Sequence, residues 1–131
     1  MSAGTAKIKG DNVVIVDSND FMRKVLKNII LGYGFQILEA GDNIGALSLA
    51  ASHKPKVVFV SMEGDENWPN LVKSIKSSGS YKVVGYSTGI TRELVARAYF
   101  AGVDEILVSP QNQKERIEKC LIINAGTALA Q

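Results

Sequence analysis

Acidic and hydroxyl side chains directly follow four short apolar runs of this 131-residue sequence, and they are the residues whose types can do chemistry. Carboxylates at such positions can be ligands for a hard divalent cation, while hydroxyls can line a pocket or bond nearby backbone. The four groups are Asp17, Ser18, Asn19 and Asp20; Ser61, Met62 and Glu63; Ser87, Thr88 and Gly89; and Ser109 and Pro110.

The apolar runs indicate how these groups come together. VVIV at 13–16, VVFV at 57–60, VVGY at 83–86 and ILV at 106–108 are too short for helices and are mostly β-branched. Such runs are typical of strands that are buried on both faces and are therefore parallel. The alternating segment FQILEA at 35–40 predicts a fifth strand, at an edge of the sheet.

Helical periodicity fills the intervals between the strands. The pattern predicts helices over 20–31, over 43–52, from about Pro69, after Thr91 and over about 113–125. The first of these has Ser18 or Asn19 as its cap and Phe21, Val25, Leu26, Ile29 and Ile30 on its apolar face, and the second has Ile44, Leu47 and Ala51 on one face.

Five strands that alternate with five helices predict one α/β domain, with a parallel sheet covered on both faces. We expect the domain to occupy 12–125, between a flexible N-terminal segment at 1–11 and a C-terminal tail at 126–131. In such folds the chemistry lies at the carboxyl ends of the strands, where the polar groups described above stand.

The composition is that of an ordinary globular domain. Hydrophobic residues make up 46% and charged residues 21%, and the net charge is only +2 with both signs interspersed. A nucleic-acid partner requires a more concentrated basic field. No apolar run approaches the ~18 residues of a membrane span, and the first residues carry no signal-peptide pattern. With Cys120 as its single cysteine, the protein is expected to be cytoplasmic and to lack disulfides.

Four segments of the chain resemble the landmark segments of response-regulator receiver domains. They are VVIVDSNDFMRKVL, KPKVVFVS, VVGYST and AGVDEILVSP, and they lie in register over about 13–123. The resemblance implies a flavodoxin-like (βα)5 fold with a doubly wound five-stranded parallel sheet in the order 2-1-3-4-5. It also implies a role in two-component phosphorelay signalling, in which an Asp receives a phosphoryl group from a histidine kinase.

The catalytic residues of that family are only partly present. Asp17 matches the first acidic residue, Ser18 replaces the second, and Ser61 stands where the phosphoryl-accepting Asp is expected. Ser87 is an acceptable hydroxyl, whereas Ser109 replaces a Lys. A serine cannot form an acyl phosphate, and the loss of two carboxylates removes ligands that Mg²⁺ requires. We therefore expect a degenerate receiver, or pseudo-receiver, that needs no cofactor and binds Mg²⁺ weakly or not at all.

The hydroxyl-lined pocket has two interpretations that the residues leave open. Ser18, Ser61, Ser87 and Ser109 can be neutral pocket fillers whose hydroxyls bond loop backbone. Alternatively, the pocket is regulated by modification of Ser61 or by a small ligand or anion. The segment 87–91 at a helix start can bind an anion through its backbone N–H groups, although it lacks the spacing of a nucleotide loop.

The acidic residues also have two interpretations. Asp17 and Glu63 can together hold a cation weakly. Alternatively, Asp17 and Asp20 serve the helix dipole and cap, while Glu63, Asp65 and Glu66 form a solvated acidic loop.

The chain lacks a recognisable catalytic group outside this pocket. His53 stands at a predicted helix end, Cys120 lies within a helix as a small core residue, and Trp68 is expected to be half-buried against the core. We therefore predict that the protein is not an enzyme.

The resemblance implies a protein partner of a signalling pathway, such as a histidine kinase, another regulator or an effector. We expect this contact, and any homodimer, to use the surface formed by the fourth helix, fifth strand and fifth helix. Ile106 replaces the aromatic switch residue on that surface, so we expect it to keep one conformation. The residues expected on this partner face are Arg92, Arg97, Tyr99, Ile106, Lys114 and Lys119.

Overall fold

The computed structural model describes residues 11–121. The predicted tail at 126–131, the end of the last predicted helix at Ala125 and nearly all of segment 1–11 lie outside these residues. The described strands are β1 Asn12–Val16, β2 Gln36–Ala40, β3 Val57–Ser61, β4 Lys82–Ser87 and β5 Glu105–Val108. The helices are α1 Asp20–Leu31, α2 Asn43–His53, α3 Trp68–Ser78, α4 Arg92–Ala101, a 3-10 turn Pro110–Asn112, and α5, which is described over 114–121.

The five strands form one parallel sheet in the order β2-β1-β3-β4-β5. The central β3 pairs with β1 on one side and with β4 on the other, and its five residues are all buried. The prediction of a flavodoxin-like fold is therefore confirmed. The weaker, alternating segment does form the edge strand β2.

Two apolar layers hold the helices against the sheet. On one face, strand residues such as Val14 and Val58 join α2, α3 and α4 in a single buried cluster. On the other face, Ile15 and Phe59 join α1 and α5. Because consecutive strand residues point to opposite faces, the unbroken apolar runs supply both layers.

The start of α1 is capped as the sequence allows, but its apolar face is narrower than predicted. The side chain of Asn19 accepts a hydrogen bond from the Met22 amide, so Asn19 is the cap. Leu26 and Ile30 are buried, whereas Phe21 is 76% exposed. Phe21 lies in the first turn of the helix, beside the carboxyl edge of the sheet, where no further layer covers it.

The prediction of the inward face of α2 was wrong. Ala46 and Ala50 contact the core, while Leu47 and Ala51 are exposed and Ile44 is 83% exposed. The two alanines leave space for the helix to lie close to the sheet. Because α2 is apolar on nearly all sides, periodicity alone did not distinguish its inward face.

Within residues 11–121, the structure contains no helix with the length and apolar character that crossing a membrane requires.

Candidate functional site

The predicted pocket lies at the carboxyl edge of the sheet, where the ends of β1 and β3 meet. Asp17, Ser18, Ser61 and Glu63 line one small cavity of about 20 Å³. A cavity of this volume holds about one water molecule. Ser87 and Ser109, which were predicted to share the pocket, do not line this cavity; they stand at the ends of β4 and β5, where the Ser109 amide donates to the Ser87 carbonyl at 2.8 Å.

Asp17 is buried, and both of its carboxylate oxygens accept hydrogen bonds from the protein. Oδ1 accepts from the Asn19 amide at 2.9 Å, and Oδ2 accepts from the Tyr86 hydroxyl at 2.7 Å. The Arg23 guanidinium donates to the Asp17 backbone carbonyl at 2.6 Å and also pairs with Asp20 and Glu39. Asp17 is thus fixed in position, and hydrogen bonds from neutral donors partly offset the cost of burying its charge.

Tyr86 is the site residue that sequence reasoning missed. In the parallel sheet, Tyr86 of β4 is the register partner of Ser61 on β3. Ser61 directly follows Val60, and Asp17 directly follows Val16, the register partner of Val60 on β1. The tyrosine side chain therefore passes Ser61 on its way to Asp17, across a position where only a small side chain stands. Burial and the neighbouring Asp17 carboxylate raise the pKa of the Tyr86 hydroxyl, which stays protonated and donates.

A signal for this contact exists in the sequence. A tyrosine near the end of a buried strand needs a partner for its hydroxyl, and the adjoining strand ends carry the polar groups. The prediction above uses VVGY at 83–86 only as an apolar run and assigns no hydrogen-bond partner to its tyrosine hydroxyl.

Three of the four predicted pocket serines, Ser61, Ser87 and Ser109, bond backbone groups of the surrounding loops. The Ser61 hydroxyl lies 3.2 Å from both the amide nitrogen and the carbonyl oxygen of Glu63. Ser87 accepts from the Gly89 amide at 3.4 Å, and Ser109 donates to the Thr88 carbonyl at 3.3 Å. Ser109 also adopts the left-handed conformation, with φ of 50°. These contacts match the interpretation in which hydroxyls satisfy loop backbone.

Glu63 lines the same cavity as Asp17, and its carboxylate is engaged with the loop after β4. Its Oε2 accepts from the Thr88 hydroxyl at 2.6 Å, and its Oε1 accepts from the Thr88 amide at 3.1 Å. One backbone N–H group of segment 87–91, that of Thr88, therefore has a carboxylate of the protein as its acceptor, and binding of an external anion to this segment stays a prediction.

The carboxylates near the cavity are engaged in hydrogen bonds with the protein. Both oxygens of Asp17 and both oxygens of Glu63 accept protein hydrogen bonds, and Asp65 accepts from the Asn67 amide at 2.8 Å. Within residues 11–121, no group of three or more His, Cys, Asp or Glu side chains is placed to hold a metal ion.

Trp68 and Arg97 lie together between α3 and α4. Trp68 is 3% exposed, so it is buried rather than half-buried as predicted, because it closes the cavity beside Asp17 from the α3 side. The guanidinium carbon of Arg97 lies 5.5 Å from the centre of the Trp68 ring. Arg97 therefore points toward α3, although it was expected on the partner face formed by α4, β5 and α5.

The other residues expected on the partner face do lie on or near the surface. Arg92, Lys114 and Lys119 are exposed and Tyr99 is 54% exposed. Ile106 is partly buried and packs against the core cluster beneath α4.

The remaining reactive side chains lie away from the pocket. Cys120 is a buried residue of α5, and its sulfur lies 3.4 Å from Oε1 of Glu105 on β5. Burial raises the pKa of its thiol to about 12, so the reactive thiolate is disfavoured. His53 is an exposed residue at the end of α2.

Comparison with known proteins identifies the family. No family profile matches the chain. The chain is 30% identical over 121 residues to the chemotaxis protein CheY1 of Helicobacter pylori, covering 86% of this chain and 98% of that protein. It is also 30% identical over 112 residues to the chemotaxis protein CheY of Thermotoga maritima, covering 83% and 93% of the two chains.

Solved structures share the fold. A response regulator from Thermotoga maritima matches 86% of this chain and 98% of its own length, with a TM-score of 0.76 and 23% identity. Three observations support one family assignment: the sequence similarity to CheY proteins, the order of the strands and the position of Asp17 at the end of β1. This chain belongs to the CheY-like family of response-regulator receiver domains of two-component signalling.

Proposed function

We propose that this receiver domain acts without aspartate phosphorylation, as a protein–protein interaction module. The observation that carries the proposal is the hydrogen bond from Tyr86 to Asp17, which passes Ser61 at the position of the phosphoryl acceptor. A serine hydroxyl cannot form an acyl phosphate. The Tyr86 phenol also takes the Asp17 oxygen that a metal ion would need.

We further infer that the protein is not an enzyme, requires no cofactor, and binds Mg²⁺ weakly or not at all. Mg²⁺ demands near-ideal octahedral geometry from hard oxygen ligands, and it dehydrates reluctantly. Asp17 and Glu63 are the carboxylates nearest to the lost acceptor, and both are already engaged by hydrogen-bond donors. Rebuilding the site would require breaking those bonds.

The alternative is regulation through Ser61 modification or through a ligand in the pocket, and the geometry gives it less support. Ser61 is buried, and its hydroxyl is engaged with the backbone of Glu63. The adjacent cavity of about 20 Å³ has room for a water molecule but not for a phosphate group.

The Glu63–Thr88 contact supports a partner face of fixed conformation. In the resembled family, the hydroxyl after the fourth strand moves toward the phosphoryl group, and the aromatic residue on the fifth strand moves with it. Here the matching hydroxyl is that of Ser87, which accepts from the Gly89 amide, while the next residue, Thr88, is held by the Glu63 carboxylate, and Ile106 has no ring to move. The face formed by α4, β5 and α5 thus presents Arg92, Tyr99, Lys114 and Lys119 in one arrangement.

The partner would be a protein of a two-component pathway, such as a histidine kinase, another regulator or an effector, and a homodimer would use the same face. The curated relatives are named as chemotaxis proteins, so chemotaxis components are the first partners to test.

Incubation with acetyl phosphate and Mg²⁺, followed by intact-protein mass spectrometry, tests the proposal. We expect no phosphoryl adduct, while a receiver domain that retains its acceptor Asp gains one in the same assay. An adduct on this chain, or a partner that binds only after such treatment, would overturn the proposal.

A further inference from the structure

An exposed aromatic residue lies in a groove between α3 and α4, away from the partner face already described. The groove has a volume of about 310 Å³ and includes Pro69, Lys73, Arg97 and Phe100 in its lining. Phe100 is 83% exposed. Burying such a side chain on association removes apolar surface from water, which is favourable.

Two cationic side chains flank Phe100, and each of them makes a cation–π contact with an aromatic ring of the protein. The Lys73 ammonium lies 4.9 Å from the centre of the Phe100 ring, and Arg97 stacks on the buried Trp68. In the part of the chain that the structure describes, neither cation forms a salt bridge, whereas Arg23, Lys27, Lys76 and Lys82 all do. An arginine that stacks through its planar face keeps the donors at its edge available.

We propose that this α3–α4 groove binds an acidic segment of a partner protein. Carboxylates of the segment pair with Lys73 and Arg97, and an apolar side chain covers Phe100. The inference rests on the proposed role as an interaction module, because it gives that module a second surface and a partner of defined chemistry.

The groove favours an acidic peptide over other anionic partners. Its lining holds two cationic side chains, Lys73 and Arg97, beside the anionic Glu66, and the whole chain has a net charge of only +2, so the groove lacks the concentrated basic field that a continuous phosphate backbone requires. An exposed ring between two cations matches a segment in which acidic and apolar side chains alternate. Aromatic and arginine side chains are also the residues that most often carry interface binding energy.

Titration of the intact protein with a designed probe tests the proposal. The probe is a capped octapeptide of Asp and Glu with two central Leu residues, and the control replaces every acid with Lys. Trp68 is the only tryptophan of the chain, so its emission reports binding beside Arg97. Amide shifts in two-dimensional NMR locate the contact independently. We expect saturable binding of the acidic peptide, with the largest shifts at 69–73 and 97–101.

Two variants separate the groove from the rest of the surface. Lys73→Glu with Arg97→Glu, and separately Phe100→Ala, should each weaken the acidic peptide by about tenfold or more. Lys24→Glu with Lys56→Glu makes the same change in net charge at exposed positions outside both the groove and the partner face, and it should leave the affinity unchanged. Circular dichroism confirms that each variant is folded.

Several outcomes would overturn the proposal. They are equal binding of the Lys peptide, undiminished binding by the groove variants, largest shifts on α5, or tighter binding to phosphatidylserine vesicles or to an oligonucleotide. The proposed function fails separately, through a phosphoryl adduct in the acetyl phosphate assay, which does not involve the groove.

Discussion

The Tyr86 hydroxyl donates to Oδ2 of Asp17 at 2.7 Å, although the two residues are 69 positions apart and lie on strands separated by β3. The contact depends on Ser61, whose short side chain lies between them in the sheet. In a receiver domain with an acceptor Asp at this position, that carboxylate would occupy the path of the phenol. The small side chain at position 61 and the tyrosine contact are therefore physically linked.

Removing the hydroxyl should destabilise the protein measurably. Tyr86→Phe leaves the buried Asp17 carboxylate without one of its donors, and a hydrogen bond to a charged group is worth about 2 kcal/mol. Urea unfolding followed by circular dichroism measures the change in the free energy of unfolding. Tyr99→Phe, on an exposed tyrosine, is the control and should change it by less than about 0.5 kcal/mol. Equal effects of the two changes would show that the Asp17 contact contributes no stability.

The same hydroxyl should make stability fall in alkaline solution. The pKa of Tyr86 is raised in the folded protein, while a tyrosine in the unfolded chain has a pKa of about 10. Above that pH the unfolded state releases a proton that the folded state retains, so the free energy of unfolding decreases as pH rises. This contribution is fully present below the unfolded pKa.

Urea unfolding between about pH 8 and pH 11 measures this dependence, and Tyr86→Phe should show a shallower decrease over that range. Lysines also titrate there, so the difference between the two proteins carries the result. Parallel curves would contradict the assignment.

Much of the fold was predictable because strands such as β1 and β3 contain unbroken apolar runs. VVIV at 13–16 and VVFV at 57–60 face helices on both sides, so every residue is selected for burial and the run is easily recognised. The order of the strands came from the family resemblance, since alternation of elements does not determine order. The inward face of α2 was mispredicted because Ile44 and Leu47 are as apolar as Ala46 and Ala50, which the sheet contacts.

The sequence predicts several residues that form the site but not the hydrogen bonds that they make. Asp17, Ser61 and Glu63 follow apolar runs, and parallel strands bring such positions to one edge of the sheet. The directions of the Glu63 and Tyr86 side chains depend on neighbouring strands that are distant in sequence. Glu63 turns to Thr88 because that residue, in the loop after β4, offers both an amide and a hydroxyl.

The Glu63 carboxylate should protect the loop after β4 from local opening. Glu63→Ala removes the acceptor of the Thr88 amide and hydroxyl, so the Thr88 amide should exchange with solvent roughly tenfold faster. Hydrogen exchange followed by NMR measures this rate. Glu66→Ala removes an exposed carboxylate from the loop after β3, which also carries Glu63, and should leave the exchange rate of the Thr88 amide unchanged. If Thr88 exchanges equally fast in wild type and Glu63→Ala, the carboxylate does not hold the loop.

Rebuilding a magnesium site should require the removal of Tyr86 as well as the return of the family residues. Ser18→Asp, Ser61→Asp and Ser109→Lys together supply two carboxylates and a cation. In that triple variant the Tyr86 hydroxyl still competes for Oδ2 of Asp17, and its ring crowds the new carboxylate at position 61. We therefore expect a weak response to Mg²⁺ from the triple variant and a clear one after the further change Tyr86→Val.

The melting temperature with and without millimolar Mg²⁺ measures this response, because a ligand that binds only the folded state raises it. Wild type and Tyr86→Val alone are the controls, and both should be insensitive to Mg²⁺ because they lack the two added carboxylates. A triple variant that responds as strongly as the quadruple variant would show that Tyr86 does not obstruct the site. A quadruple variant without any response would show that the turned-away Glu63, or the loop that follows β3, also has to change before the pocket can hold the ion.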